Sequence, residues 1–172
     1  MPELRRLELT GPLEDGVLQC SRLTAIEELG RLFEIELDLF SNSGSINFDD
    51  VLGRAVTVRA SLSPRASRYF SGHVCRFVQE PGSGNYSRYR ATLRPWLWFL
   101  TRTADCRIFQ QKSIPDIIKE VFREHGFSGE FEEKLSGTYR TWDYCVQYRE
   151  TDFNFVRIKF RLDIVSMFRL QI

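Results

Sequence analysis

The chain has 172 residues, 42% of them hydrophobic and 27% charged, and 24 Lys+Arg against 23 Asp+Glu leave a formal net charge of +1. At about 150 residues per domain this is one domain or one plus a fragment, large enough to bury a core without a disulfide or metal staple. The neutral balance excludes the strong electrostatic footprint of a nucleic-acid or acidic-membrane binder, and two histidines leave little room for histidine-based metal or acid–base chemistry.

In chain order, Leu4, Leu7 and Leu9 open a first strand that stops at Thr10-Gly11-Pro12, and Val17 to Ile26 reads as a second. In Phe33 to Phe40 the residues Phe33, Ile35, Leu37 and Leu39 alternate with Glu34, Glu36 and Asp38, the period-two pattern of a strand with one buried face. Phe48 to Gly53 reads as one helical or 3₁₀ turn ending at glycine. Ala55–Leu62 and Arg68–Val78 read as a hairpin, and Tyr86–Leu93 as a further strand with Tyr89, Ala91 and Leu93 on one face. Strands at this spacing suggest a sandwich or barrel.

A well-specified helix follows. Ser113 caps it, Pro115 sits where a missing N–H is harmless, and Ile114, Ile117, Ile118, Val121 and Phe122 form one apolar stripe that Gly126 stops. Phe127–Leu135 and Tyr139–Tyr148 read as strands, and Thr151 caps a second helix. The fold class is therefore mainly β (α+β), an antiparallel β-barrel followed by an incomplete α/β segment. The expected division is 1–110, 111–156 and a tail at 157–172.

Candidate chemistry resolves into ordinary structure. His73 reads as an outward-facing strand histidine and His125 as a charge stabilising a helix C-terminus. A Cys75–His73 nucleophile lacks an orienting group. Cys20, Cys75, Cys106 and Cys145 show no zinc-ligand spacing, and Cys75 and Cys145 behave as small hydrophobes in a reduced chain. Gly82-Ser83-Gly84 lacks a phosphate-loop frame, and Asp49-Asp50 and Glu132-Glu133 read as solvated turn residues. No catalytic, cofactor or metal residue is expected. The N-terminus has no apolar signal segment, and no stretch is long enough for stable membrane insertion. Arg94, Trp96, Trp98 and Arg102 are the candidate interface, being of the types enriched at protein–protein hot spots. The alternative for this stretch is a monomeric β-barrel domain that binds carbohydrate or single-stranded nucleic acid.

Tyr89 to Arg102, with Asp105 to Gln110, Ile114 to Ile118 and Tyr144 to Val156, resembles the VgrG family, the spike proteins of bacterial type VI secretion. Phe48–Gly53 and Tyr69–Val74 are similar to that family too. The resemblance implies the N-terminal, phage-baseplate-hub-like part of a homotrimeric spike, truncated here, that sits on the Hcp tube and carries secreted effectors or adaptors. It implies a scaffold, not an enzyme, with no nucleic-acid partner, cytoplasmic before firing and secreted afterwards. The departure from the family pattern is expected after Val156, where Arg157 to Ile172 looks like a frameshift or an alternative C-terminus.

Overall fold

The computed structural model describes residues 7–63, 65–83, 86–133, 137–163 and 168–170, with side chains described outside 82–83, 132–133, 160–163 and 168–170. Leu4 and Leu135, each part of an expected strand, and Gly84 of the Gly82-Ser83-Gly84 stretch lie outside the described residues. The chain divides into two compact units, Met1–Pro95 and Trp96–Ile172.

The first unit is a six-stranded antiparallel sheet of β1 (Leu7–Thr10), β2 (Gln19–Ile26), β3 (Glu34–Ser41), β4 (Ala55–Ser63), β5 (Ala66–Ser83) and β6 (Tyr86–Arg94), in the order β1-β4-β5-β6-β3-β2. Its edge strands β1 and β2 approach each other, so the sheet curls around its core as a barrel not fully closed by hydrogen bonds. Alternation sets the core. Ile35, Leu37 and Leu39 of β3 lie opposite Leu93, Ala91 and Tyr89 of β6, and all six are buried. A register shift between Val74 and Arg76 moves the inward positions of β5 from Val74 to Phe77, which plain alternation would have turned outward. Phe48–Asp50 forms the expected 3₁₀ turn, with the Asn47 side chain accepting from the Asp49 N–H at 3.3 Å. Gly53 follows in the left-handed region at φ 75° and donates its N–H to the Val74 carbonyl at 2.8 Å.

The second unit begins with a 3₁₀ segment, Trp96–Thr101, and continues through β7 (Ala104–Ser113), α1 (Ile114–Glu124), β8 (Phe131–Glu133), β9 (Thr141–Thr151), α2 (Asp152–Asp163) and β10 (Phe168–Leu170). β7 pairs antiparallel with β9, and β8 with β10. The α1 stripe behaves as its spacing requires, with Ile114, Ile117, Ile118, Val121 and Phe122 buried. The Ser113 hydroxyl accepts from the Asp116 N–H at 3.4 Å. At the other end Gly126 adopts φ 79°, and the N–H groups of Gly126 and Phe127 reach back to the Arg123 and Phe122 carbonyls, a Schellman closure. Phe168–Leu170 is a strand rather than a continuation of α2.

Candidate interface

Arg94 ends β6 and pairs there with Glu34 of β3. The other three residues singled out by sequence belong to the second unit. Trp96 is core: it is 3% exposed, with its ring edge-on to Phe122 at 4.8 Å and tilted over Phe127 at 5.0 Å. Trp98 is half-buried, and the exposed Arg102 holds its guanidinium 5.4 Å from the Trp98 ring centre. The structure therefore joins Trp98 and Arg102 as a surface cation–π pair and gives Trp96 a packing role.

A larger apolar surface lies on the β7–β9 pair. Its inner face contributes Phe109 and Cys145, which lie opposite each other, together with Gln147. Its outer face exposes Ile108 at 64%, Tyr144 at 68%, Val146 at 44% and Tyr148 at 65%. Antiparallel sheets with one solvated face normally carry polar residues there, and this neutral, aromatic outer face departs from that pattern.

Gln147 is turned inward by a polar cluster that no local pattern announces. Asp152, at the start of α2, has a side chain 5% exposed. Its Oδ1 accepts from Arg107 Nη2 and Gln147 Nε2, each at 2.7 Å, and its Oδ2 from Thr103 Oγ1 at 3.1 Å and His125 Nε2 at 2.7 Å. Gln147 also accepts from Arg107 Nε at 2.8 Å and donates to the Glu150 carbonyl at 3.0 Å. Burial acts to raise the Asp152 pKa. The hydrogen bonds from Gln147, His125 and Thr103 and the charge of Arg107 outweigh it and hold the carboxyl below the ordinary carboxylate value. His125, expected only to complement a helix end, is thus a partner of Asp152. His73 is half-buried on β5, and all four cysteines are free thiols. The Thr103 hydroxyl also lies 3.3 Å from His125 Nε2, and both groups converge on the same carboxylate oxygen, Asp152 Oδ2.

Residues 26–162 match the family described as the phage tail baseplate hub (GPD). The chain belongs to that family. This hub region runs past Val156, where the sequence was read as departing from its relatives. Two Pseudomonas aeruginosa proteins extend the match. The type VI secretion system spike protein VgrG1c is 52% identical over 152 residues, 88% of this chain and 21% of that protein. VgrG1b is 49% identical over 154 residues, 90% of this chain and 21% of that protein. The expected resemblance to VgrG spike proteins therefore holds, and the chain spans about a fifth of the length of these relatives. Among solved structures, an E. coli type VI secretion component, reported to be similar to the T4 tail proteins gp27 and gp5, shares the hub fold. Its TM-score is 0.64 at 22% identity, over 93% of this chain and 40% of that one. A prophage tail protein from Shewanella oneidensis shares it with a TM-score of 0.51 at 12% identity, over 91% of this chain and 47% of that one. The mainly β, antiparallel fold class read from the sequence is that of these tail-hub proteins.

Proposed function

We propose that this chain is a structural hub component of a type VI secretion spike, which works by protein–protein contact and carries out no catalysis. The observation that carries the reading is the 52% identity, over 88% of the chain, to a protein named as a type VI secretion spike. The exposed Ile108, Tyr144, Val146 and Tyr148 support it, because they offer apolar area of the kind that drives subunit association. In this reading sister copies assemble as a homotrimer, the Hcp tube lies beneath, and effectors or adaptors ride on the assembly. Trp98 and Arg102 contribute at an interface rim, with Arg94 on the barrel unit. The chain resides in the cytoplasm before firing and leaves with the spike. The comparisons give no support to a monomeric carbohydrate- or nucleic-acid-binding domain.

Gel filtration with light scattering, run with and without purified tube protein, tests the proposal. A trimer, or co-elution with the tube protein, is the expected result. A monomer at all concentrations that ignores the tube protein overturns it.

A further inference from the structure

Among the described residues, Asp152 is the one charged residue in the buried interior. Its carboxylate ties four elements of the second unit together: the start of β7 through Thr103 and Arg107, the end of α1 through His125, β9 through Gln147, and α2, which it opens. The Asp152 N–H also donates to the Thr103 carbonyl at 3.1 Å, so backbone and side chain hold the same residue, just ahead of β7.

We propose that this carboxylate is a proton-operated clasp: when Asp152 takes up a proton the second unit opens, while the barrel unit stays folded. The chemistry is that of acceptor capacity. As an anion, Asp152 accepts four side-chain hydrogen bonds, two on each oxygen. Protonation turns one oxygen into a donor, takes the buried anion away from the His125 N–H, and leaves the Arg107 guanidinium with only the more exposed Glu124 and Asp105. The other charged groups around the clasp do not replace it. Glu124 of α1 also pairs with Arg107 but is 48% exposed, and Asp105 of β7 stands 3.8 Å from Arg107 and is 55% exposed. On β9, Glu150 contributes its backbone carbonyl to Gln147.

The barrel unit has a different electrostatic design. Its ion pairs among the described residues, Glu8–Arg59, Glu27–Arg68, Glu28–Arg31, Asp38–Arg90, Glu80–Arg90 and Glu34–Arg94, all use carboxylates at least 30% exposed. Pairs of that kind add little to stability, and their protonation leaves water as an alternative partner. For Asp152 the sign is fixed by its depressed folded-state pKa. The clasp is fully closed above the unfolded carboxylate value of about 4. Below it, closure weakens by up to about tenfold per pH unit until the folded-state pKa is passed.

The chain supplies its own probe, because its three tryptophans, Trp96, Trp98 and Trp142, all lie in the second unit. The test follows tryptophan emission and, by pulsed hydrogen exchange, the amide protection of β3 to β6, as the intact chain is taken from about pH 7 to about pH 3. The expected result is a red shift of the tryptophans with the barrel amides still protected, and a D152N chain whose tryptophans are already red-shifted at neutral pH. D116N, which removes an exposed helix-cap carboxylate, should leave the acid transition in place. Three results overturn the clasp: tryptophans that stay buried through the acid range, barrel protection lost in the same step, or a D152N chain with wild-type emission and a wild-type acid transition. The wild-type titration decides the matter even if D152N fails to fold.

Discussion

Ile108 lies directly opposite Val146 across the β7–β9 pair, and both are exposed, whereas the adjacent pair, Phe109 and Cys145, is buried. The strand pair thus has two apolar faces, one of them covered by its own unit. If the open face joins copies of the chain, Val146→Lys should weaken association at least tenfold. Its effect on the unfolding midpoint should stay within about 0.5 kcal/mol, since the site is an exposed strand position. Analytical ultracentrifugation beside urea unfolding separates the two effects. Unchanged self-association would remove this face from the assembly.

Gly72 sits opposite Val56 where β5 passes close to the end of β6. A Cβ at this position would come within 3.1 Å of both the Arg94 carbonyl oxygen and the Leu93 Cβ, and within 3.3 Å of the Phe33 ring. The backbone has little room to yield, because His73 is in register with Arg94 and Val74 with Leu93. Gly72→Ala should therefore destabilise the barrel unit by about 1–3 kcal/mol through overpacking. A neutral or stabilising value in urea unfolding contradicts the close approach.

The strands of the barrel were legible because each carries its own signal. The acids of β3 alternate with its core residues, and Tyr89, Ala91 and Leu93 repeat the pattern on β6. In β9 the same rule misleads. Tyr144, Val146 and Tyr148 are the more apolar set, yet they face outward, while Cys145 and Gln147 face inward. The reason is non-local: Gln147 completes a cluster with Arg107, 40 positions earlier, and with Asp152. No window of a single strand contains both partners. The packing of Trp96 was not legible for a similar reason, since its ring partners, Phe122 and Phe127, lie beyond the next strand. The caps of both helices were legible because they are local.

Those caps carry the next prediction. The Ser113 hydroxyl accepts from the Asp116 N–H at 3.4 Å, and the Thr151 hydroxyl accepts from the Asn154 N–H at 3.2 Å. Ser113→Ala and Thr151→Ala should each cost about 1 kcal/mol, read as lower denaturant midpoints by tryptophan emission. Ser113→Ala has a second signature. Hydrogen bonds from Ser113 and Lys119 hold the Asp116 carboxyl below its ordinary value, so losing the first should move its titration upward. Carboxyl NMR of the two chains shows this, and an unmoved Asp116 would disprove the cap geometry.

The cysteines give a final test that needs no mutation. Cys20 of β2 is a half-buried thiol whose Sγ donates to the Arg22 carbonyl at 3.3 Å, and burial is the main cause that pushes it up to about 11. Against an ordinary value of 9.0 this lowers its thiolate fraction at neutral pH about a hundredfold. Burial also raises the Cys75 thiol, and Cys145 is 7% exposed in the second-unit core. Cys106 is the exposed thiol, on the strand that carries the open face. Because alkylation needs both thiolate and access, a limiting reagent should label Cys106 first, Cys20 and Cys75 far more slowly, and Cys145 only on unfolding. Peptide mass spectrometry over a time course reads the order. Labelling of Cys20 as fast as that of Cys106 would mean that β2 is not packed on β3 as described, and the barrel would have to be redrawn at that edge.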